Sequence, residues 1–391
     1  MEEEEKYPDR INSKISLTRP NEIIDIHQGE VLLRIDEKDI TLRNARVFFT
    51  WYPHLGMIVE TQGEMFTLEE FKVLLALEGT LEVRINDLLV GRGFISALSA
   101  DESYSLKIKM INEAVIGDKS ITCSEVYFML PNFRDFLGES IRVNSESGVQ
   151  LIKGRIVLDN EKYQIILDKF HELPKREKEV RASGGHLISY DGLLKRIDEK
   201  PISHNDLDKI LPKLASFLSF INGFEVYPMI LQGVHEDEIM WTDYSQRHLQ
   251  QYQSVKTWTN RFAIDGFNQM WRKFSKYWDN ENCRDVFNSA IKWYNQINRK
   301  GQYLESSIII SQTVLELLYN WWVVEKKKGI VGKDSENISA GNKIRLLLSF
   351  SGYDDHMPPP SFQYLQGFIS SAQEGKDALE AIVNIRNSIV H

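Results

Sequence analysis

The sequence predicts an α+β protein, with an N-terminal β-rich module of sandwich or barrel type followed by a C-terminal all-α bundle. Three observations carry this. Short apolar runs at roughly ten-residue spacing, separated by turn residues, fill the chain from Gly29 to about residue 240. From about Asp243 onward, apolar and aromatic residues recur at helical spacing instead. The charge divides at the same place: residues 1–240 carry −12 and residues 241–391 carry +3, for a net −9. That balance excludes a protein that coats nucleic acid generally and leaves the helical part able to meet an anion.

Residues 1–20, opening "MEEEEKYPDR", are acidic and polar. They read as a loose terminus and lack the apolar core of a signal peptide. "EVLLRIDEKDITLRNARVFF" places two apolar runs around a charged "DEKD" turn, a hairpin pattern. Further strands are predicted over Trp51–Thr61, Leu81–Asp87, Tyr104–Asn112, Ser124–Leu130, Gly148–Asn160 and Tyr163–Phe170. "PKREKEVRASGG" (Pro174–Gly185) reads as a charged loop ended by glycines. Ser203, with Asn205 and Asp206 close behind, caps a helix whose stripe is Leu207, Ile210, Leu211, Leu214, Phe217, Leu218 and Ile221. "VYPMILQG" returns to strand, so the β module is expected over 21–240 and the helical domain over 241–391.

In the helical part, "TNRFAIDGFNQMWRKFSKYW" and "CRDVFNSAIKWYNQINRK" carry aromatics at helical spacing. The longest helix is expected in "GQYLESSIIISQTVLELLYNWWVVEKK", with Leu304, Ile308, Ser311, Leu315, Leu318 and Trp322 on one face. Gln312, Glu316 and Asn320 interrupt it periodically, which predicts a buried soluble helix and no membrane span. Loops follow at "GIVGKDSENISAGN" and "SGYDDHMPPPS", then a last helix from about Glu374. The two cysteines, Cys123 and Cys283, have no ligand spacing. No disulfide, metal or cofactor is expected, and a reducing, cytoplasmic setting fits. Walker-type, G-x-G-x-x-G and H-E-x-x-H patterns are absent, which argues against nucleotide hydrolysis and zinc proteolysis.

The chemistry concentrates in the last helix. Ala378, Ile382, Ile385 and Ile389 form a predicted core stripe, and Glu380, Asn384, Asn387 and His391 form a polar stripe with the same offsets. Arg386 lies about 100° from Asn387 and about 140° from His391 on an ideal helix. A neutral imidazole can take the proton of a ribose 2′-OH, and a guanidinium suits the charge that builds on the attacked phosphate. Asn387 would orient either group. "RNSIVH", preceded by the "LE" helix "SQTVLELLYNWW", resembles the R-x4–6-H motif and first helix of the HEPN superfamily, over about residues 284–391. The texture of "ITLRNARVFFTWYPHLGMIVET" and "LASFLSFINGFEVYPMILQG" is similar to the β domain of ApeA-type antiphage HEPN proteins.

The resemblance implies a metal-independent endoribonuclease of bacterial antiphage defence, cutting RNA, commonly tRNA, as a homodimer. Arg386 would clamp the transition state, His391 act as base or acid, Asn387 orient, and Glu316 partner Arg386 or His391. The β domain would sense a phage-derived activator or restrain the nuclease. In the family the motif helix continues past the histidine, so either residues beyond His391 are expected, the favoured reading, or catalysis is compromised. The other reading is a non-catalytic HEPN-type module that dimerises and binds. Elsewhere, Lys292, Arg299, Lys300, Lys326, Lys327 and Lys328 form a candidate rim for an RNA backbone. His186 reads as part of a glycine turn, and His235 with Glu236, Asp237 and Glu238 as a solvated acidic loop. The aromatics from Trp271 to Trp322 read as packing.

Overall fold

The computed structural model describes residues 7–15, 17–100, 104–145, 148–353, 361–371 and 377–390. The chain divides into two compact units. The first comprises Met1–Leu218, Glu225–Ser254 and Thr259–Ser275, and the second Ser219–Phe224, Val255–Trp258 and Lys276–His391. The first unit thus reaches beyond the expected limit at 240.

The first unit opens with strands β1 (Ile24–Ile35), β2 (Lys38–Thr50) and β3 (Gly56–Glu64). Helix α1 (Leu68–Ala76) follows, then β4 (Leu81–Ile85), β5 (Leu88–Ala100) and β6 (Tyr104–Gly117). The order β3-β2-β1-β4-β5-β6 closes on itself through a β3–β6 ladder, making an antiparallel barrel. Alternation decides the interior: Val31, Leu33, Leu42, Ala45, Val47, Phe49, Val59, Val83 and Ile108 are fully buried. Past Asn112, which takes a left-handed φ of 56°, β6 pairs with β13 (Glu238–Asp243) and enters a second sheet. That sheet continues through β12 (Met229–His235), β7 (Glu125–Pro131), β11 (Ile188–Arg196), β10 (Tyr163–Lys169), β9 (Gly148–Asp159) and β8 (Glu139–Ser145). Helices α2 (Leu173–Ser183) and α3 (His204–Asn222) belong to the same stretch of chain. The expected α3 stripe is buried in full, from Leu207 to Ile221.

Three expectations need correction. Residues 7–15 and 17 are not a loose terminus. Arg10 N donates to Arg142 O and Arg142 N to Pro8 O, so this segment runs beside β8. It is held there because the paired strands β10 and β11 set Asp168 directly across from Asp191, both buried. Two unpartnered buried carboxylates would be strongly unfavourable. Arg155 grips Asp168 with two bonds of 2.7 and 2.6 Å, and Ile11 N donates to it at 2.7 Å. Arg10 forms an ion pair with Asp191.

"PKREKEVRASGG" is likewise a helix, α2, and not a loop. Pro174 sits in its first turn, Glu177 and Arg181 pair at i,i+4, and Gly184 ends it at φ 78°. Its Arg176 donates to Leu17 O at 2.6 Å and covers Phe170 from one side while Arg10 covers it too. Four strands, β5, β8, β11 and β13, escaped the sequence reading. In β5 the reason is visible: Gly91 and Gly93 remove side chains where the backbone of β6 comes close.

The second unit holds α5 (Glu281–Ile297) and α6 (Leu304–Tyr319), following α4 (Phe267–Trp278), whose last residues it includes. A π-helical turn over Asn320–Lys326 extends α6, and the short α7 (Asp334–Asn337), α8 (Ala340–Phe350), α9 (Gln363–Ser371) and α10 (Ala378–Val390) complete it. Its core is thin. Tyr319, Val323 and Leu347 form one buried group, and Ile344, Leu379 and Val383 another, with Leu315 against both. The predicted α6 face is not the buried one. Gln312 and Tyr319 are buried, whereas Ile308, Ser311, Leu315 and Leu318 are half-buried and Leu304 is 72% exposed. By length and composition alone, Leu304–Lys326 could cross a membrane. In this unit the segment packs on α5, α8 and α10.

Candidate functional site

The final helix is rotated from its sequence expectation. Leu379, Ala381 and Val383 are buried, while Ile382, Ile385 and Ile389 are half-buried. Leu379 and Val383 meet Ile344 of α8 and Leu315 of α6. Their row continues one turn later to Arg386, which follows Leu379 by seven residues and so lies about 20° from it. Arg386 is therefore half-buried at the edge of the packing, not out on a separate polar face. The helix starts at Asp377, whose Oδ1 accepts from Glu380 N at 3.0 Å and whose Oδ2 is gripped by Arg345 of α8. That clamp fixes the register of α10 on α8.

Arg386 Nη1 donates to Asn387 Oδ1 at 3.1 Å, and Asn387 is exposed. Among the described residues Arg386 forms no ion pair. Arg34, Arg155, Arg196 and Arg345, by contrast, are each held by an aspartate. Glu316 is not bonded to Arg386: its Oε1 accepts from Gln312 Nε2 at 2.8 Å, one turn away on α6. His391 lies outside the described residues. The structure thus brings Arg386 and Asn387 together and keeps Glu316 with Gln312. A guanidinium without a carboxylate is a cation held ready for an anion, because nothing in the fold has to be displaced first.

The candidate RNA rim separates. Lys326 and Lys327, at the end of the π turn, face one pocket together with Lys276 of α4. Lys328 takes a left-handed φ of 51° that ends the turn and does not line the pocket. Lys292 is exposed on α5, and Arg299 and Lys300 follow that helix and have other partners. Lys276 and Asn280 were missed in the sequence, and Tyr277, read there as packing, is 45% exposed on the pocket wall. The Asn280 cap just after "KYW" was the available signal.

The remaining candidates are structural. His186 is buried, its pKa pushed down to about 4 by burial, and its Nδ1 lies 3.3 Å from Asn132 Nδ2. Gly184 and Gly185 before it have φ of 78° and 97°, a genuine glycine turn. Glu236 and Asp237 form the tight turn between β12 and β13, with left-handed φ at both. Among the described residues no group of His, Cys, Asp and Glu is arranged to hold a metal. Trp271, Trp278 and Trp321 are buried packing residues.

Residues 118–255 match the family described as the YopA central domain, and residues 280–391 match the YopA C-terminal domain. Over 377 residues the chain is 23% identical to the "SPbeta prophage-derived uncharacterized protein YopA" of Bacillus subtilis (strain 168). That alignment covers 95% of this chain and 83% of the relative. No solved structure matches the chain.

Proposed function

We propose that the protein is a metal-independent endoribonuclease of HEPN type, working through its helical unit. The observation that supports this best is Arg386: half-buried, free of any carboxylate partner among the described residues, and bonded only to the Asn387 side chain. In the reaction, His391 takes the proton of a ribose 2′-OH and the oxygen attacks the adjacent phosphorus. The P–O5′ bond breaks, the leaving 5′-oxygen takes a proton from water, and a 2′,3′-cyclic phosphate remains. Arg386 binds the phosphate oxygens whose charge grows during the attack, and Asn387 holds the guanidinium in place. Glu316, tied to Gln312, sets the surface of α6 and does not neutralise the arginine.

The working form is a homodimer through the helical unit. Tyr303 and Leu304 are exposed, and Ile308, Ile309 and Ile310 are only half-buried in the single chain, a run of apolar surface that a second copy would cover. The β-rich unit would sense a phage-derived activator, and the RNA cut would be of the tRNA class.

The test is expression of the full chain in bacteria beside Arg386→Ala and His391→Ala. The reading expects RNA fragments from the unaltered protein, carrying cyclic-phosphate ends, and intact RNA with either variant. Intact RNA with all three, under infection as well as overproduction, would leave the second reading, a non-catalytic binding module. The apolar run with exposed Tyr303 and Leu304, which suits a contact between copies and needs no chemistry, is what favours that alternative.

A further inference from the structure

We infer that the pocket between α4, α5 and the π turn binds one nucleotide unit, taking its phosphate on lysines and its base on aromatic rings. Lys276, Tyr277, Asn280, Trp322, Lys326 and Lys327 line it, with the buried Cys283 behind them, around about 360 Å³. That volume falls within the roughly 300–1,000 Å³ of small-molecule sites.

Charge is the first argument. None of Lys276, Lys326 and Lys327 forms an ion pair among the described residues, whereas Lys38, Lys162 and Lys169 are each paired with a carboxylate. Three lysines lining one pocket raise the positive potential there, which favours a bound anion. The nearest acid on α5, Glu281, is taken by Arg284.

The start of α5 adds a second cationic element. Asn280 Oδ1 accepts from Cys283 N at 3.2 Å, so the residue that caps α5 is itself a wall of the pocket. The positive end of a 17-residue helix therefore adds to the field there.

The rings select a nucleotide over a bare phosphate. Tyr277 is 45% exposed, and Lys327 Nζ lies 4.7 Å from the centroid of Trp322. An aromatic face already holding a lysine head can exchange it for a stacked base while the lysine turns to the phosphate. The π turn makes this arrangement possible. Lys327 N bonds Trp322 O at 2.9 Å, five residues back, and this wider turn puts Trp321 inside, 8% exposed, while Trp322 faces the pocket.

The nucleotide could be free or part of an RNA strand, and calorimetry on the full chain separates the two. The probes are adenosine monophosphate, a five-residue oligoribonucleotide and inorganic phosphate. Adenosine monophosphate should bind about tenfold more tightly than phosphate, the stacking contribution. Lys326→Glu with Lys327→Glu should weaken it at least about tenfold, more so at low salt. Trp322→Leu should weaken adenosine monophosphate and leave phosphate unchanged. An oligoribonucleotide that binds more tightly than the mononucleotide identifies a strand; equal binding identifies a free nucleotide.

Equal affinity for phosphate and adenosine monophosphate would overturn the assignment. Binding indifferent to the double charge reversal, or no binding of any probe, would do the same. Both lysines are exposed, so the variant should melt like the parent, and Lys276→Gln repeats the test from another element. Arg386→Ala should leave this binding unchanged, so the pocket and the cleavage reading fail or stand separately.

Discussion

The two units differ in how they handle their most buried carboxylates and their apolar surface, although both contain matched ion pairs, such as Arg345 with Asp377 in the helical one. In the β-rich unit even the buried carboxylates are matched: Asp168 by Arg155 and Ile11 N, Asp191 by Arg10. Its barrel interior is filled by alternating side chains with no exposure. In the helical unit, Arg386, Lys276, Lys326 and Lys327 lack carboxylates among the described residues, and α6 keeps apolar side chains half-open. A region that satisfies its own groups gains stability from them. A region that leaves cations and apolar faces unmatched keeps them for something else. That difference is the ground on which ligand and partner binding are proposed for the helical unit.

The sharpest way to break this contrast is Asp168→Ala. It strands Arg155 and the Ile11 N–H in a buried setting, with an expected cost of about 3–5 kcal/mol. Hydrogen exchange should show β10 and β11 opening while α5 and α6 stay as protected as before. Equal loosening of both units would mean that the matched charges are not a local property of the β-rich one.

Next in size is a pH effect. Burial outweighs the attraction of Arg10 and raises the Asp191 pKa to about 6, while burial lowers that of His186 to about 4. On acidification from pH 6.5 to 4 the unfolded chain protonates His186 first, so that group loses stability, by roughly 3 kcal/mol. Over about pH 6 to 4 the folded chain protonates Asp191 before the unfolded chain does, so that group gains a similar amount. The two offset each other. Asp191→Asn should remove the gain and leave the β-rich unit losing stability as pH falls through this window, seen as faster exchange in β11. An unchanged pH profile would show that Asp191 does not titrate there.

On the helical side, Leu304→Ser with Ile308→Ser should shift a dimer toward monomer in sedimentation. The cost to the single chain should be about 0.5 kcal/mol at the exposed Leu304 and about 1 kcal/mol at the half-buried Ile308. A monomer before substitution would leave that apolar run unexplained. The smallest expected effect is Thr67→Ala, which deletes the capping box of α1, where Thr67 and Glu70 bond each other's backbone. About 1 kcal/mol of local stability should go, confined to α1.

What could be read in advance follows the same divide. The β1–β2 hairpin and the α3 stripe were legible because their apolar periods are undisturbed, while α6 was legible as a helix but not in the face it buries. Strand β5 was hidden by Gly91 and Gly93, which serve close backbone approach and carry no period. α2 was hidden because it is almost wholly charged, and its role, holding Leu17 through Arg176, is a long-range contact no local pattern records. The clasp of Arg10 and Ile11 depends on Asp168 and Asp191, far along the chain. At the candidate site, the adjacency of Arg386 and Asn387 was legible. The rotation of α10 was not, because Leu379 and Val383 compete with Ile382 and Ile385 for the core, and contacts with Ile344 and Leu315 decide the outcome. Lys276 joins Lys326 and Lys327 only through packing of α4, α5 and the π turn.

The central claim, that the helical unit cuts RNA with Arg386, is tested most directly with purified full-length protein on an RNA and on the same RNA with 2′-deoxy sugar at the cut site. The account predicts cleavage of the first, none of the second, and a rate roughly 10²–10³-fold lower for Arg386→Ala, the range for removing a group that stabilises transition-state charge. Cleavage of the deoxy substrate, or an unchanged rate without Arg386, would contradict it.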